Sequence, residues 1–168
     1  LQFGSYGYQR QQIKAEGTLE DLGYVLNLSR LKMDGFRRHS RQHVRKANVV
    51  TRMDVGSSTE LRGVFNLFDT PFSENHSTLT KEDARTAPRS VRQLAIEQGW
   101  GESATQGQGG LTLTHELDGS GELQLTGWAM WRDVWNPIPF SIIDVGRVGA
   151  GLRSEYRDRV ELGGLGVR

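Results

Sequence analysis

The densest single chemistry in the sequence lies between Arg30 and Arg52. Arg30, Lys32, Arg37, Arg38, Arg41, Arg45, Lys46 and Arg52 stand there against one acid, Asp34. Cations at that density neutralise phosphates, release their counterions and bind polyanions with little regard to sequence. Arg37, Arg38, Arg41, Arg45, Lys46 and Arg52 are therefore the candidate nucleic-acid-binding residues, for RNA or another polyanion. The run also fits a solvated face, or an arm that pairs with the more acidic remainder of the chain. Only Phe36 within it could stack on a base, so sequence-specific recognition of single strands is not indicated.

Other constellations are weaker. His39 and His43 share the four-residue spacing of metal-binding helices, but their neighbours are cations and no Glu stands between them, so no metal site is expected. His76 and His115 have no Ser, Asp or Glu at a catalytic spacing. Gly146, Gly149 and Gly151 read G-x-x-G-x-G, which is not the dinucleotide fingerprint, and no P-loop Lys accompanies them. No cofactor is expected. Asn27-Leu28-Ser29 and Asn75-His76-Ser77 match a glycosylation pattern that arises often by chance. Trp128, Trp131, Trp135 and Phe140 form the densest aromatic patch. As strand residues, Trp128 and Trp131 fall on opposite faces, which leaves one free to anchor a protein partner.

The elements that must position these residues are read as α+β: antiparallel hairpins packed with two or three helices, and irregular Gly-rich termini. The 168 residues are the size of one domain, with 1–10 and 146–168 as extended arms. Thr18 and Asp21 form a capping-box-like start to a helix whose stripe is Leu19, Leu22, Leu26 and Met33 and whose stop is Gly35. Residues 36–47 read as a solvated helix or arm. Val49 to Val55 and Leu61 to Leu67 alternate around Gly56-Ser57-Ser58, a hairpin. Residues 69–82 read as a loop, and a short helix runs from Thr86 or Ala87 to Gly99. Gln106 to Gly110 is a flexible link. Leu111 to Leu117 pairs with Glu122 to Trp128 around a turn at Asp118 to Gly121. Pro137 and Pro139 break the chain, and Phe140 to Val145 is a short buried strand or helix start.

Composition sets bounds. With 21 basic and 20 acidic residues the net charge is +1, so no global field drives the chain onto nucleic acid or membrane. No apolar run approaches the roughly 20 residues of a spanning helix, and no membrane span is expected. The absence of cysteine excludes disulfides and thiolate chemistry and leaves the compartment open. A start at Leu1 fits a removed leader or a piece of a longer chain.

The segment Trp135-Asn136-Pro137-Ile138-Pro139-Phe140-Ser141-Ile142-Ile143-Asp144 resembles the W-E-x-[IV]-P-[FY]-S-F-V-V-D-W segment of maturation proteins from single-stranded RNA bacteriophages. Asn136 stands at the family's Glu and Val145 at its final Trp, and Leu1-Gln2-Phe3-Gly4 is similar to an aromatic-Gly motif upstream in that family. The resemblance implies a virion protein that binds genomic RNA and contacts a host receptor. The expectation is a non-enzymatic structural or binding protein, an RNA-contacting assembly component. The alternative is an accessory subunit of a large complex, docked through the basic segment and the Trp/Pro patch. A small hydrolase or toxin domain ranks last, because no catalytic site assembles.

Overall fold

A computed structural model describes residues 1–117, 121–158, 160–162 and 165–167. It is an antiparallel meander. The strands are β1 (Gln2–Phe3), β2 (Gln9–Leu19), β3 (Leu22–Met33), β4 (Gln42–Val55), β5 (Thr59–Glu74), β6 (Gly101–Glu116), β7 (Glu122–Ile138) and β8 (Ser141–Arg157), hydrogen-bonded in chain order in one sheet. β9 (Val160–Leu162) and β10 (Leu165–Val167) form a separate two-stranded ribbon. Among the described residues helix is confined to α1 (Lys81–Thr86) and α2 (Gln93–Glu97), both between β5 and β6.

The α+β expectation is thus overturned. The stretch read as a helix with stripe Leu19, Leu22, Leu26 and Met33 is the β2–β3 hairpin, turning at Glu20–Asp21, where Glu20 adopts φ 52°. Leu22, Tyr24, Leu26 and Leu28 alternate with Gly23, Val25, Asn27 and Ser29. That period of two is the pattern that governs, and Leu22 and Leu26 belong to it as well as to the helical spacing. Residues 42–47 open β4 rather than forming a solvated helix, and β5 runs on to Glu74. The expected link at 106–110 lies in the middle of β6, paired on both sides.

The chain does not break at Pro137. β7 pairs with β6 only as far as Trp135, so the missing amide of Pro137 faces a side with no ladder, where proline is tolerated. Pro71 sits where the register of β5 shifts, between Thr70 and Ser73. The expected arm from Gly146 is largely β8, paired with β7 along its full length. The hairpins expected at 49–67 and 111–128 do form, with Val49 opposite Phe65 and Gly110 opposite Trp128. Of the turn expected at Asp118 to Gly121, residues 118–120 lie outside the described residues.

Burial is sparse for a chain of this size. Among the described residues the buried apolar side chains are Ala95, Trp100, Ala104 and Pro137, and no large side chain is fully enclosed. They cluster at the end of the sheet where residues 34–41 and 75–100 fold against each other. At the opposite end the connections are short, at Glu20–Asp21, at Gly56–Ser58 and between Glu116 and Glu122.

Candidate functional site

The register sorts side chains into two faces of contrasting chemistry. One row across the sheet reads Gly17, Tyr24, Thr51, Gly63, Leu111, Gly127, Leu152. Two residues along each strand toward the loop end, the next reads Ala15, Leu26, Val49, Phe65, Gly109, Ala129, Ala150, and the one beyond it Ile13, Leu28, Ala47, Leu67, Gly107, Trp131, Val148. On the short-turn side come Leu19, Leu22, Met53, Leu61, Leu113, Leu125 and Ser154, then Val55, Thr59, His115, Leu123 and Tyr156. These five rows hold no Asp, Glu, Lys or Arg. They are not covered: Leu152 is 92% exposed, Val148 84%, Ile13 66% and Leu111 59%. His115 is held within the band, its Nδ1 2.8 Å from the Thr59 hydroxyl.

Charge returns abruptly at the next row toward the loop end, which contains Arg30, Arg45, Asp69 and Asp133. Arg45 lies 3.3 Å from Asp69. Within the band, small residues make room for large ones. A side chain at Gly107 would occupy the space of the Trp131 ring, and the Tyr24 hydroxyl lies over Gly17. Around Gly63, Gly109 and Leu111 this leaves an apolar hollow of about 770 Å³.

The opposite face carries the polar and charged side chains, interrupted by one apolar row, Val25, Val50, Val64 and Trp128. Gln12 Nε2 donates to Asn27 Oδ1 at 2.8 Å, Asn27 Nδ2 to Asn48 Oδ1 at 3.3 Å, and Asn48 Nδ2 to Asn66 Oδ1 at 2.7 Å, a ladder of amides across β2 to β5. Nearer the short turns, Arg52 and Arg62 flank Glu60 at 2.7 and 2.5 Å, and Arg157 reaches Glu122 at 2.9 Å and Glu155 at 2.6 Å. These groups border a water-accessible hollow of about 510 Å³. Trp128 also faces this side and packs over Gly151.

The expected phosphate-binding residues are not brought together. Arg37 is a staple: its guanidinium donates to the carbonyls of Ser90, Ser77 and His76 at 2.7 to 2.9 Å, joining the two long loops. Arg41 donates to Glu74 through Nε at 3.0 Å, Nη2 at 2.6 Å and its backbone amide at 2.9 Å. Arg38 lies in the same loop, its amide bonded to the Arg89 carbonyl. Arg45 shares the face of the apolar band. Lys46 and Arg52 share the polar face, Lys46 lying over the Phe68 ring and Arg52 against Glu60.

Trp131 and Trp135 fall on the band side and Trp128 on the other, as alternation requires. Phe140 occupies the β7–β8 turn, 84% exposed with φ 60°. His39 and His43 lie in a loop and a strand, not on one helix. His39 Nε2 is 2.7 Å from the Trp100 carbonyl oxygen.

Electrostatics set the loop cluster. Burial raises the pKa of Glu74, but the hydrogen bonds from the Arg41 guanidinium and amide, with the charges of Arg41 and His39, outweigh it and hold the carboxylate below its ordinary range. Burial, reinforced by the charges of Arg37 and His39, lowers the pKa of His76 and keeps it neutral. No group of three or more carboxylate or imidazole side chains fit to hold a metal occurs among the described residues. Sequence reading missed the band and the Asn ladder. Both are visible only once each strand is assigned its period-two phase.

No protein-family model matches the chain, and no curated protein matches it. Among solved structures it is similar to the ferric citrate transporter FecA in its unliganded form. The TM-score is 0.74 at 12% identity, over 95% of this chain and 24% of the transporter chain. At that identity the likeness concerns the fold alone. The chain spans about a quarter of the transporter's length. No helix among the described residues is long and apolar enough to cross a membrane, a criterion that does not address strands. Nothing in the geometry or the comparisons points to enzymatic activity.

Proposed function

We propose that this chain forms part of the wall of a transmembrane β-barrel, its apolar band against lipid hydrocarbon and its polar face toward an aqueous interior through which a polar solute passes. The observation that carries this reading is the band itself: five successive rows of outward side chains with no formal charge, left uncovered. In water a face of this extent would be an aggregation surface, since monomeric soluble proteins rarely expose contiguous apolar patches beyond a few hundred Å². In lipid it is the required exterior.

The dimensions agree. Eight residues separate the outermost rows, about 27 Å along a strand at ~3.4 Å per residue, or about 21 Å along the bilayer normal at a tilt of ~40°. Spanning strands need about 9–11 residues, and β2 to β8 have 11 to 17. Short turns at one end and the two longest connections, 34–41 and 75–100, at the other match the asymmetry of outer-membrane-type barrels, although β7 and β8 join at that same end through the two-residue turn Pro139–Phe140. The expectation of no span concerns apolar runs long enough for a helix, a criterion that strands escape.

The chain has no cysteine, so single cysteines can be placed without background. In vesicles, a membrane-impermeant maleimide added to both sides should label positions 108, 110 and 112 and spare 109, 111 and 113. Equal labelling of the two sets would refute the proposal.

A further inference from the structure

We infer that the outward cations just beyond the loop-side edge of the band, Arg30, Lys32 and Arg45, form a docking surface for the phosphoryl headgroups of anionic lipids. The inference rests on the proposed embedding of the band. Arg30 of β3 lies directly opposite Arg45 of β4, and Lys32 directly opposite His43. Like charges paired across a ladder repel, and such a pair is relieved by an anion lying over both. Arg45 donates one hydrogen bond to Asp69 at 3.3 Å and keeps most of its surface open. Arg30 and Lys32 are exposed and, among the described residues, carry no ion pair. Gln11 and Gln9 stand beside Arg30 and Lys32 on β2, adding amide donors on the same face.

Position selects the partner. Arg30 and Arg45 occupy the row that follows Ile13, Leu28 and Ala47, the last uncharged row of the band. With the band in hydrocarbon, that row falls at headgroup depth. Guanidinium groups there present paired donors to phosphate oxygens, while the stems of Arg and Lys lie along the apolar surface below. A polynucleotide would have to be brought into the bilayer boundary to reach them, whereas a lipid phosphate is already there.

The test uses the full chain carrying Ile13→Cys labelled with a fluorophore, in vesicles containing lipids with brominated acyl chains as contact quenchers. Brominated phosphatidylcholine should quench the probe, and brominated phosphatidylglycerol should quench at lower mole fraction. Replacing Arg30, Lys32 and Arg45 together by Gln should reduce that preference about fivefold per removed cation. Arg132→Gln with Arg147→Gln, a cross-strand pair at similar height on the polar face, should leave it unchanged, and strand content by infrared spectroscopy reports folding of each variant. Absence of quenching by either lipid would mean that the band is not embedded. Quenching with no anionic preference, or a preference that survives the triple variant, would overturn the headgroup site alone. Loss of the preference on adding inorganic phosphate at matched concentration would assign the cations to a free anion. Single-stranded RNA bound through these three residues, with no lipid preference, would assign them to nucleic acid. Either result overturns the inference.

Discussion

Replacing Leu111 by Arg places a charge in the middle row of the band, on β6 between Gly63 and Gly127. The row lies about 10 Å from either edge along the bilayer normal, from the ~21 Å thickness derived above, and an arginine stem snorkels only part of that distance. Its neighbours offer no carboxylate. A cation at the bilayer midplane of a barrel's lipid face costs about 2–4 kcal/mol, which is roughly 30-fold to 1000-fold in the folding equilibrium. If the same face met water, a leucine already 59% exposed would exchange for Arg within about 0.5 kcal/mol. The control is Gln108→Arg, three residues away on the same strand, exposed on the polar face, which should stay within that small range. Reversible folding into phosphatidylcholine vesicles across a urea series reads both. A Leu111→Arg midpoint no lower than that of Gln108→Arg would refute the assignment of the faces.

Gly107→Val should lower stability by about 1–3 kcal/mol, because the new side chain must displace the Trp131 ring, and a shifted Trp emission in the folded variant should accompany the lower midpoint. Asn48→Ala removes the central rung of the amide ladder and its two hydrogen bonds. It should cost about 1–3 kcal/mol in the same titration, with an unchanged midpoint counting against the ladder. Acidification should open the contact between residues 34–41 and 75–100. Glu74, with its folded pKa depressed, stabilises fully above its ordinary pKa of about 4.3, and that contribution disappears as pH falls through the lower folded value. His76, also depressed, is neutral when folded, so its contribution is complete above about pH 6.5 and is lost below it. Amide exchange at Asn75 and Trp100, corrected for intrinsic rates, should accelerate as pH falls from about 7 to below the ordinary carboxylate range, and Glu74→Gln should remove the lower part of the dependence. Exchange independent of pH would contradict the assignment.

The sequence made some of this legible. The hairpins at 49–67 and 111–128 could be read because alternation and turn residues agree there. The β2–β3 hairpin could not, because Leu22 and Leu26 satisfy the helical and the extended spacing at once. A deeper obstacle is that apolar alternation says which side chains avoid water, not whether protein or lipid replaces it. The uncharged rows therefore read as a core, with helices required to cover them. The basic run from Arg30 to Arg52 looked like one patch in one dimension. Strand geometry divides it between two faces, and Arg37 and Arg41 lie in a loop whose partners, Ser90 and Glu74, stand 53 and 33 residues away. No local pattern announces those pairings. Gln106 to Gly110 reads as a link for want of side chains, whereas Gly107 is small because Trp131 lies above it.

The amide ladder also bears on how the strands find their alignment. Two faces of opposite chemistry reject any slip by one residue, since it would turn charges toward the apolar side. They are blind to a slip by two, which restores every residue to its proper face. Asn27, Asn48 and Asn66 are not. Moved by two against β3, Asn48 would meet Val25 or Ser29, and against β5 it would meet Val64 or Phe68, stranding an amide beside hydrocarbon in three of the four cases. The ladder thus acts as a key for the even-numbered errors that hydrophobic patterning cannot detect. In a meander whose strands are added one after another, a misaligned β4 would carry its displacement into every strand that follows.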